Sequence, residues 1–474
     1  MECKVLFNRW VRDVRFWIVV LALLRLYGIT NAPLEVEHSW RQTTVAMAAR
    51  NFYEVDNNIL YPRIDISEDL TGITGMEFPL LNYLIYIMAL VFGYSHWYGR
   101  LINLIVTSVG VYYFYRLVRK YGSERCALFS ALLLNVSIWF AYGRKIMPDT
   151  FSMSLVIMGM YYGSNYLEQL GCRAKNLVLY ALLTTLGVLS KLPSGFALVL
   201  FAFPVFDRKI ALRGKVVFCA VSAAMLVPVA WWYYYWVPYL VETYGLWHFF
   251  MGKSFAESAV EIGQNLTDTL AHFYDDAMKF IGFGVFVIGM VRLIADRQRR
   301  WLLVFTAGFA AFLVVVFKSG WTFAHHDYYI VPFVPLMAAV AGYGLSRLKR
   351  QWLAAVLLVA VGMENILNQH THFMIKDSRA GIQCLEKDMD AFSSRGDLIV
   401  VNSGEDPTAV YFAHRKGWVA SNEQLADSAF RADLRNRGCR YAVILQQAFG
   451  TDMPMDGQLM IETADYKIYA WEEE

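Results

Sequence analysis

The chain has 474 residues, 57% hydrophobic and 16% aromatic but only 18% charged, with a net charge of +3. A soluble chain of this length carries nearer a quarter charged residues, so composition excludes an ordinary soluble protein. With so small a net charge, location matters more than total, and nothing indicates a nucleic-acid partner.

The first apolar run, 16–29, lacks a small-residue cleavage site and is interrupted by Arg25, so it reads as a retained helix rather than a signal peptide. Basic residues gather at 4–15, 116–125, 173–175, 208–215, 292–300 and 347–350. Cytoplasmic loops hold such clusters. Spans at 16–31, 101–116, 127–143, 151–168, 177–191, 194–207, 216–236, 279–294, 301–318, 329–346 and 352–368 put every cluster inside. The prediction is a polytopic α-helical membrane protein of about eleven transmembrane helices, N-terminus in and C-terminus out. The apolar stretch 79–92 is short for a span, and counting it would reverse everything downstream. An interfacial or re-entrant helix over 79–93 is expected instead.

On that topology nearly every unusual polar cluster lies outside: 35–77, 143–149, 191–194, 238–276 and 321–329. A transmembrane domain is expected over 1–375, including an extracytoplasmic loop at 31–78. A soluble periplasmic α/β domain follows at 376–474. Within it, 397–401 and 441–445 read as strands, 407–416 and 422–437 as helices, and 459–471 as a closing strand pair. The six cysteines show no metal-ligand spacing. Cys384 and Cys439 share the outer domain, where a disulfide is chemically allowed. Asn265-Leu266-Thr267 fits a glycosylation acceptor, a pattern common by chance.

The polar segment 31–77 carries the first candidate chemistry. Glu37 follows the first span by a few residues and suits a general base for a hydroxyl or amine; the plainer alternative is a loop carboxylate capping the helix that starts near Trp40. Glu35 is its rival as base. After it, Val45, Ala49, Phe52 and Tyr53 mark an apolar stripe at helical spacing, with Arg41 and Arg50 on the polar side. That pattern predicts an amphipathic helix lying on the membrane, which is compatible with the plainer reading of a helix packed on the protein. Glu77 precedes Phe78-Pro79 and either shares a cleft with Glu37 or opens a helix.

In Gly143-Arg144-Lys145-Ile146-Met147-Pro148-Asp149, two adjacent cations fall outside, where an anionic ligand would explain them. Asp149 either takes part or starts the next helix. Lys191 interrupts an apolar run and either snorkels or meets a phosphate. His325-His326-Asp327-Tyr328-Tyr329 favours a phosphate or sugar contact over a metal, and an interfacial aromatic cluster is the plain alternative.

In order and spacing these pieces resemble the membrane glycosyltransferases of the protein O-mannosyltransferase and lipid A aminoarabinose transferase family, of GT-C fold. The residues that carry it are Glu37-His38, Ala49-Arg50-Asn51, Pro79-Leu80-Leu81-Asn82-Tyr83, Arg144 to Asp149, Ser190 to Gly195, and Tyr329 to Pro335. The resemblance covers roughly residues 16 to 350. It departs from the family in having Glu37-His38 for the usual Asp-Glu pair and Phe78 where a lysine is common.

The resemblance implies transfer of a sugar from a polyprenyl-phosphate donor to a glycan, lipid or protein acceptor at the periplasmic face of the cell inner membrane. Glu37 and Glu77 would be the catalytic carboxylates. His38, Arg41, Arg144, Lys145, Asp149, Lys191, His325, His326 and Tyr329 would contact the donor or its phosphate. No cofactor is implied, and a divalent metal is left open. A transporter is the rival class, weakened by the absence of an inverted repeat. A ligase or polymerase of lipid-linked glycans is another.

Overall fold

The computed structural model describes residues 10–246 and 252–471. Lys4 and Arg9 of the first basic cluster, and 247–251 of the expected outer loop, lie outside the described residues. Contacts divide the chain into two compact units that do not follow chain order. One comprises Met1–Ile29, Arg100–Tyr233 and Phe250–His370; the other comprises Thr30–Gly99, Tyr234–Phe249 and Thr371–Glu474.

The first unit is helical, and each of the eleven expected stretches contains helix. Among the described residues, four helices are long and apolar enough to cross a membrane: Tyr98–Tyr121, Leu212–Tyr244, Arg299–Ser319 and Gln351–Asn368. The pair Leu266–Asp276 and Lys279–Ala295, bent by 82°, makes a fifth if taken as one span. In Gln351–Asn368, Trp352, Val356, Val359, Met363 and Leu367 are all exposed. A continuous apolar stripe of that kind is what lipid covers. Other expected spans are shorter or broken. The stretch 194–207 is a 3₁₀ segment, Leu192–Phe201, followed by a short α-helix, Ala202–Phe206. Pro193 and Pro204 each remove a backbone donor there.

One helix pair matters for chemistry. Pro148–Leu167 and Arg173–Ser190 form a hairpin whose closeness depends on Gly187, since a Cβ there would lie 2.8 Å from Val156 and 2.9 Å from the Ser152 carbonyl. Small residues at such a crossing let backbones approach. The hairpin thereby brings Lys191, at the end of one helix, beside Asp149, at the start of the other.

The second unit holds a five-stranded sheet: β1 (Leu398–Val401), β2 (Gly417–Val419), β3 (Cys439–Leu445), β4 (Gln458–Glu462) and β5 (Tyr466–Ala470). The order is β2-β1-β3-β5-β4, with β1 parallel to β2 and β3 and the remaining pairs antiparallel. The expected helix 407–416 is shorter, Thr408–Ala413, because the chain turns into β2. Gly417 permits this strand to pair: a Cβ there would lie 1.8 Å from the Ile399 carbonyl oxygen. Alternation sends Ile399 and Val401 to one face and Val400 to the other. The first face shares its core with Leu34, Ala46, Met47 and Ile64 of the polar first loop. Cys439 is buried on the opposite face and Cys384 is exposed; both are free thiols, so the disulfide is not formed.

Helix Ser39–Glu54 takes the packed form of the two expected. Val45, Ala49 and Phe52 are buried as the stripe requires while its last member, Tyr53, is exposed, and Thr43, Arg50 and Asn51 off the stripe are buried too. It is packed within protein rather than laid with a polar face to water. Arg50 tolerates this because it meets Asp65 at 2.6 Å, which offsets the desolvation of both charges. The short helix Leu80–Phe92 ends with Leu90, Val91 and Phe92 exposed, consistent in length with the interfacial element expected at 79–93.

Candidate active site

In the helical unit Lys145, Lys191 and His326 gather around an aromatic cluster. The turn before Pro148 is held by Asn103, whose amide donates to the carbonyls of Tyr142 at 3.0 Å and Lys145 at 2.8 Å. Thr107 and Thr150 donate to the Asn103 side-chain oxygen. This turn carries Lys145, buried, with Nζ 5.8 Å from the centre of the Tyr142 ring. Tyr142 donates its hydroxyl to Asp327 at 2.6 Å and its ring lies 6.5 Å from that of Tyr328. Lys191 Nζ is 3.7 Å from Asp149 Oδ1, with side-chain exposures of 7% and 2%. The same ammonium stands 5.5 Å and 5.4 Å from the rings of Tyr328 and Tyr329. A lysine so placed is neither snorkelling nor solvated; it is a buried cation with a carboxylate close by and aromatic walls.

The two histidines separate. His326 stacks on Tyr328, centroids 5.2 Å apart, within the cluster that holds Lys191. His325 is exposed, stacked at 4.0 Å on Trp321 and bonded through Nδ1 to the Trp321 carbonyl. Arg144 donates to the carbonyls of Arg25, Tyr27 and Gly28. These bonds cap the carbonyl end of the first helix, Val14–Leu24, and its following turns.

In the second unit, Glu37 is half-buried and precedes His38, which caps helix Ser39–Glu54 in the left-handed region at φ 57°. A non-glycine residue held there costs of order 1 kcal/mol, and such strain clusters at functional sites. Arg41, in the first turn, forms an ion pair with Glu77, with side-chain exposures of 12% and 16%. The two acidic segments of the loop are thus joined through Arg41, four residues after Glu37. Glu35 is fully buried; its backbone bridges to Ile375, and Arg379 donates to the carbonyls of Glu35 and Val36.

Asn103, Tyr142 and Asp65 belong to these sites without standing in any of the sequence motifs. Asn103 was detectable as a polar residue inside an apolar span; Tyr142 and Asp65 carried no pattern of their own. Among the described residues no group of three or more His, Cys, Asp or Glu side chains is arranged to hold a metal ion.

Residues 77–234 match the model of the dolichyl-phosphate-mannose-protein mannosyltransferases. The whole fold is similar to that of ArnT from Cupriavidus metallidurans bound to undecaprenyl phosphate. The TM-score is 0.63 at 13% identity, over 96% of this chain and 97% of that one. The archaeal oligosaccharyltransferase AglB from Archaeoglobus fulgidus, in complex with an inhibitory peptide and a dolichol-phosphate, aligns with TM-score 0.56 and 14% identity over 92% of this chain and 69% of its own. The mycobacterial arabinofuranosyltransferase AftD aligns with TM-score 0.51 and 14% identity, over 96% of this chain and 41% of its own. No curated protein sequence matches the chain. Over residues 77–234 the chain is thus similar to that mannosyltransferase family, and as a whole it shares the fold of the ArnT structure. The helical membrane body and small C-terminal sheet expected from the sequence are both present.

Proposed function

We propose that the protein transfers a sugar from a polyprenyl-phosphate-linked donor to a glycan, lipid or protein acceptor, with inversion at the anomeric carbon. Two solved structures of this fold carry undecaprenyl phosphate or dolichol-phosphate. The observation that carries the reading is the buried Lys191, set between Asp149, Tyr328 and Tyr329. In the proposed reaction the acceptor oxygen bonds to the anomeric carbon as the bond from that carbon to the phosphate oxygen breaks. The polyprenyl phosphate leaves with one more negative charge, and a buried cation stabilises that charge more than a solvated one would. Lys145 and His326 stand around the same aromatic cluster as further phosphate or sugar contacts.

Glu37 takes the acceptor proton in this proposal. It is half-buried, whereas Glu35 is fully buried with its backbone tied into a bridge, which favours Glu37 as the carboxylate a substrate reaches. Glu77, through its ion pair with Arg41, holds the loop that carries Glu37. The topology belongs to the same proposal: about eleven crossings of the inner membrane, N-terminus inside, chemistry and C-terminal domain on the periplasmic face. The test is transfer from a radiolabelled polyprenyl-phosphate sugar. Glu37→Gln should keep donor binding and lose roughly 10²–10⁴-fold in turnover. Full activity in Glu37→Gln would move the role to Glu35 or Glu77, and activity in all three Gln variants would end the mechanism.

A further inference from the structure

Two basic segments far apart in sequence face one cavity in the helical unit. It has a volume of about 400 Å³, and its wall carries Arg12, Arg15 and Arg119, the rings of Tyr112 and Tyr115, and the carboxylates of Asp13 and Glu124. Both carboxylates are already engaged. Asp13 caps helix Val14–Leu24 and accepts from Arg15 at 2.6 Å and 3.0 Å. Glu124 begins helix Glu124–Val136 and accepts the Tyr115 hydroxyl at 3.3 Å. Three arginines against two carboxylates leave the wall positive. Arg119 lies over the Tyr115 ring, 5.5 Å from its centre, and both Arg12 and Arg119 are exposed.

The neighbouring side chains are of the kinds found where membrane meets water. Trp17 donates its indole N–H to the Val11 carbonyl at 2.8 Å, and Trp10 is exposed beside it in sequence. Further along the same helix Val19, Leu23 and Leu24 are exposed apolar residues. Tryptophans at a basic turn, followed by apolar residues open to the surroundings, mark a membrane–water interface. Arginines that only set topology need no common cavity. Arginines from two segments converging on one cavity at head-group depth have the arrangement that binds phosphate.

The geometry points to a site for the phosphate of an anionic phospholipid head group, held by Arg12 and Arg119 at the membrane surface where the first helix begins. This site is separate from the transfer chemistry and does not rest on it. The experiment is native mass spectrometry of the full-length protein in mixed micelles of phosphatidylglycerol and phosphatidylcholine. The wild type should retain phosphatidylglycerol in preference. Each arginine removed should weaken that retention about five-fold, so Arg12→Gln with Arg119→Gln should lose about 25-fold. Both positions are exposed surface sites, and Arg12→Gln alone should give the single step. Lys349→Gln with Arg350→Gln, an equal charge loss on another exposed turn, should change retention less than about two-fold. Unchanged retention in the Arg12/Arg119 pair, or an equal loss in the control pair, would overturn the site. Displacement of the lipid by millimolar inorganic phosphate would overturn the lipid assignment in favour of a soluble phosphate.

Discussion

Replacing Arg50 with methionine should loosen the second unit severely, because Arg50 is the centre of a buried network. Its guanidinium donates to Asp65 at 2.6 Å and to the Tyr411 carbonyl at 3.0 Å, and it lies 4.4 Å from the centre of the Tyr411 ring. The Arg50 and Asp65 side chains are 5% and 7% exposed. Methionine fills much of the volume but leaves Asp65 charged and buried, with the Asn51 amide at 2.7 Å and the charge of Lys416 as its remaining support. Breaking a buried pair from one side costs about 3–5 kcal/mol. Neutralising the stranded partner as well, in Arg50→Met with Asp65→Asn, should recover more than half of that loss. Hydrogen exchange reads the effect locally. Amides of Ser39–Glu54 and Thr408–Ala413, which the network joins, should exchange roughly 10²- to 10⁴-fold faster in the single variant. A change below about three-fold, or a double variant no better protected than the single one, would refute the claim that this charge pair holds the two helices.

Lys191→Ala should weaken donor binding as well as turnover, since its charge meets the phosphate before and during reaction, and a kcat-only effect would contradict that role. Arg144→Ala should behave differently: by freeing the carbonyls of Arg25, Tyr27 and Gly28 it should lower thermal stability in detergent, which Lys191→Ala should do less. His414 bonds Glu386 at 2.8 Å and Glu54 at 2.7 Å. Burial and the nearby Arg50 oppose its charge, but the two carboxylates prevail and raise its pKa, while the His414 bond first, and Arg395 with it, pull Glu386 down to about 2. A raised histidine stabilises fully below its unfolded pKa of about 6.5 and loses that contribution as pH rises through its folded value. The wild type should therefore lose stability on going from pH 6 to pH 9 on the order of that titration, and His414→Gln should flatten the slope; an unchanged slope would discard the clamp. For topology, an impermeant thiol reagent applied to intact cells should label the exposed Cys384 and spare the exposed Cys172. The reverse pattern would invert the proposed orientation.

The sequence by itself determined the membrane class, the helix-bearing stretches and the strands β1, β3, β4 and β5. Each of these rests on composition or on local periodicity, which a chain carries without knowing its partners. It also singled out Lys191, Lys145 and Glu77, because a charge against apolar sequence stands out wherever it later packs. Tertiary structure decided the rest. Helix Ser39–Glu54 has an amphipathic stripe, yet Asp65 and Tyr411 bury its charged side too; no local pattern announces a partner more than 300 residues away. His325 and His326 look alike in sequence, and only the stacking of one on Trp321 and the other on Tyr328 separates them. Arg144 stands out in sequence as a candidate anion ligand, and only packing sets it against the carbonyl end of the first helix. The strand β2 was missed because three residues after a helix carry too little periodicity, and what makes it a strand is the approach of Gly417 to Ile399. Local pattern fixes which segments are apolar and regular; which charge meets which partner is set by packing, where a buried ion is tolerated only opposite its counter-charge.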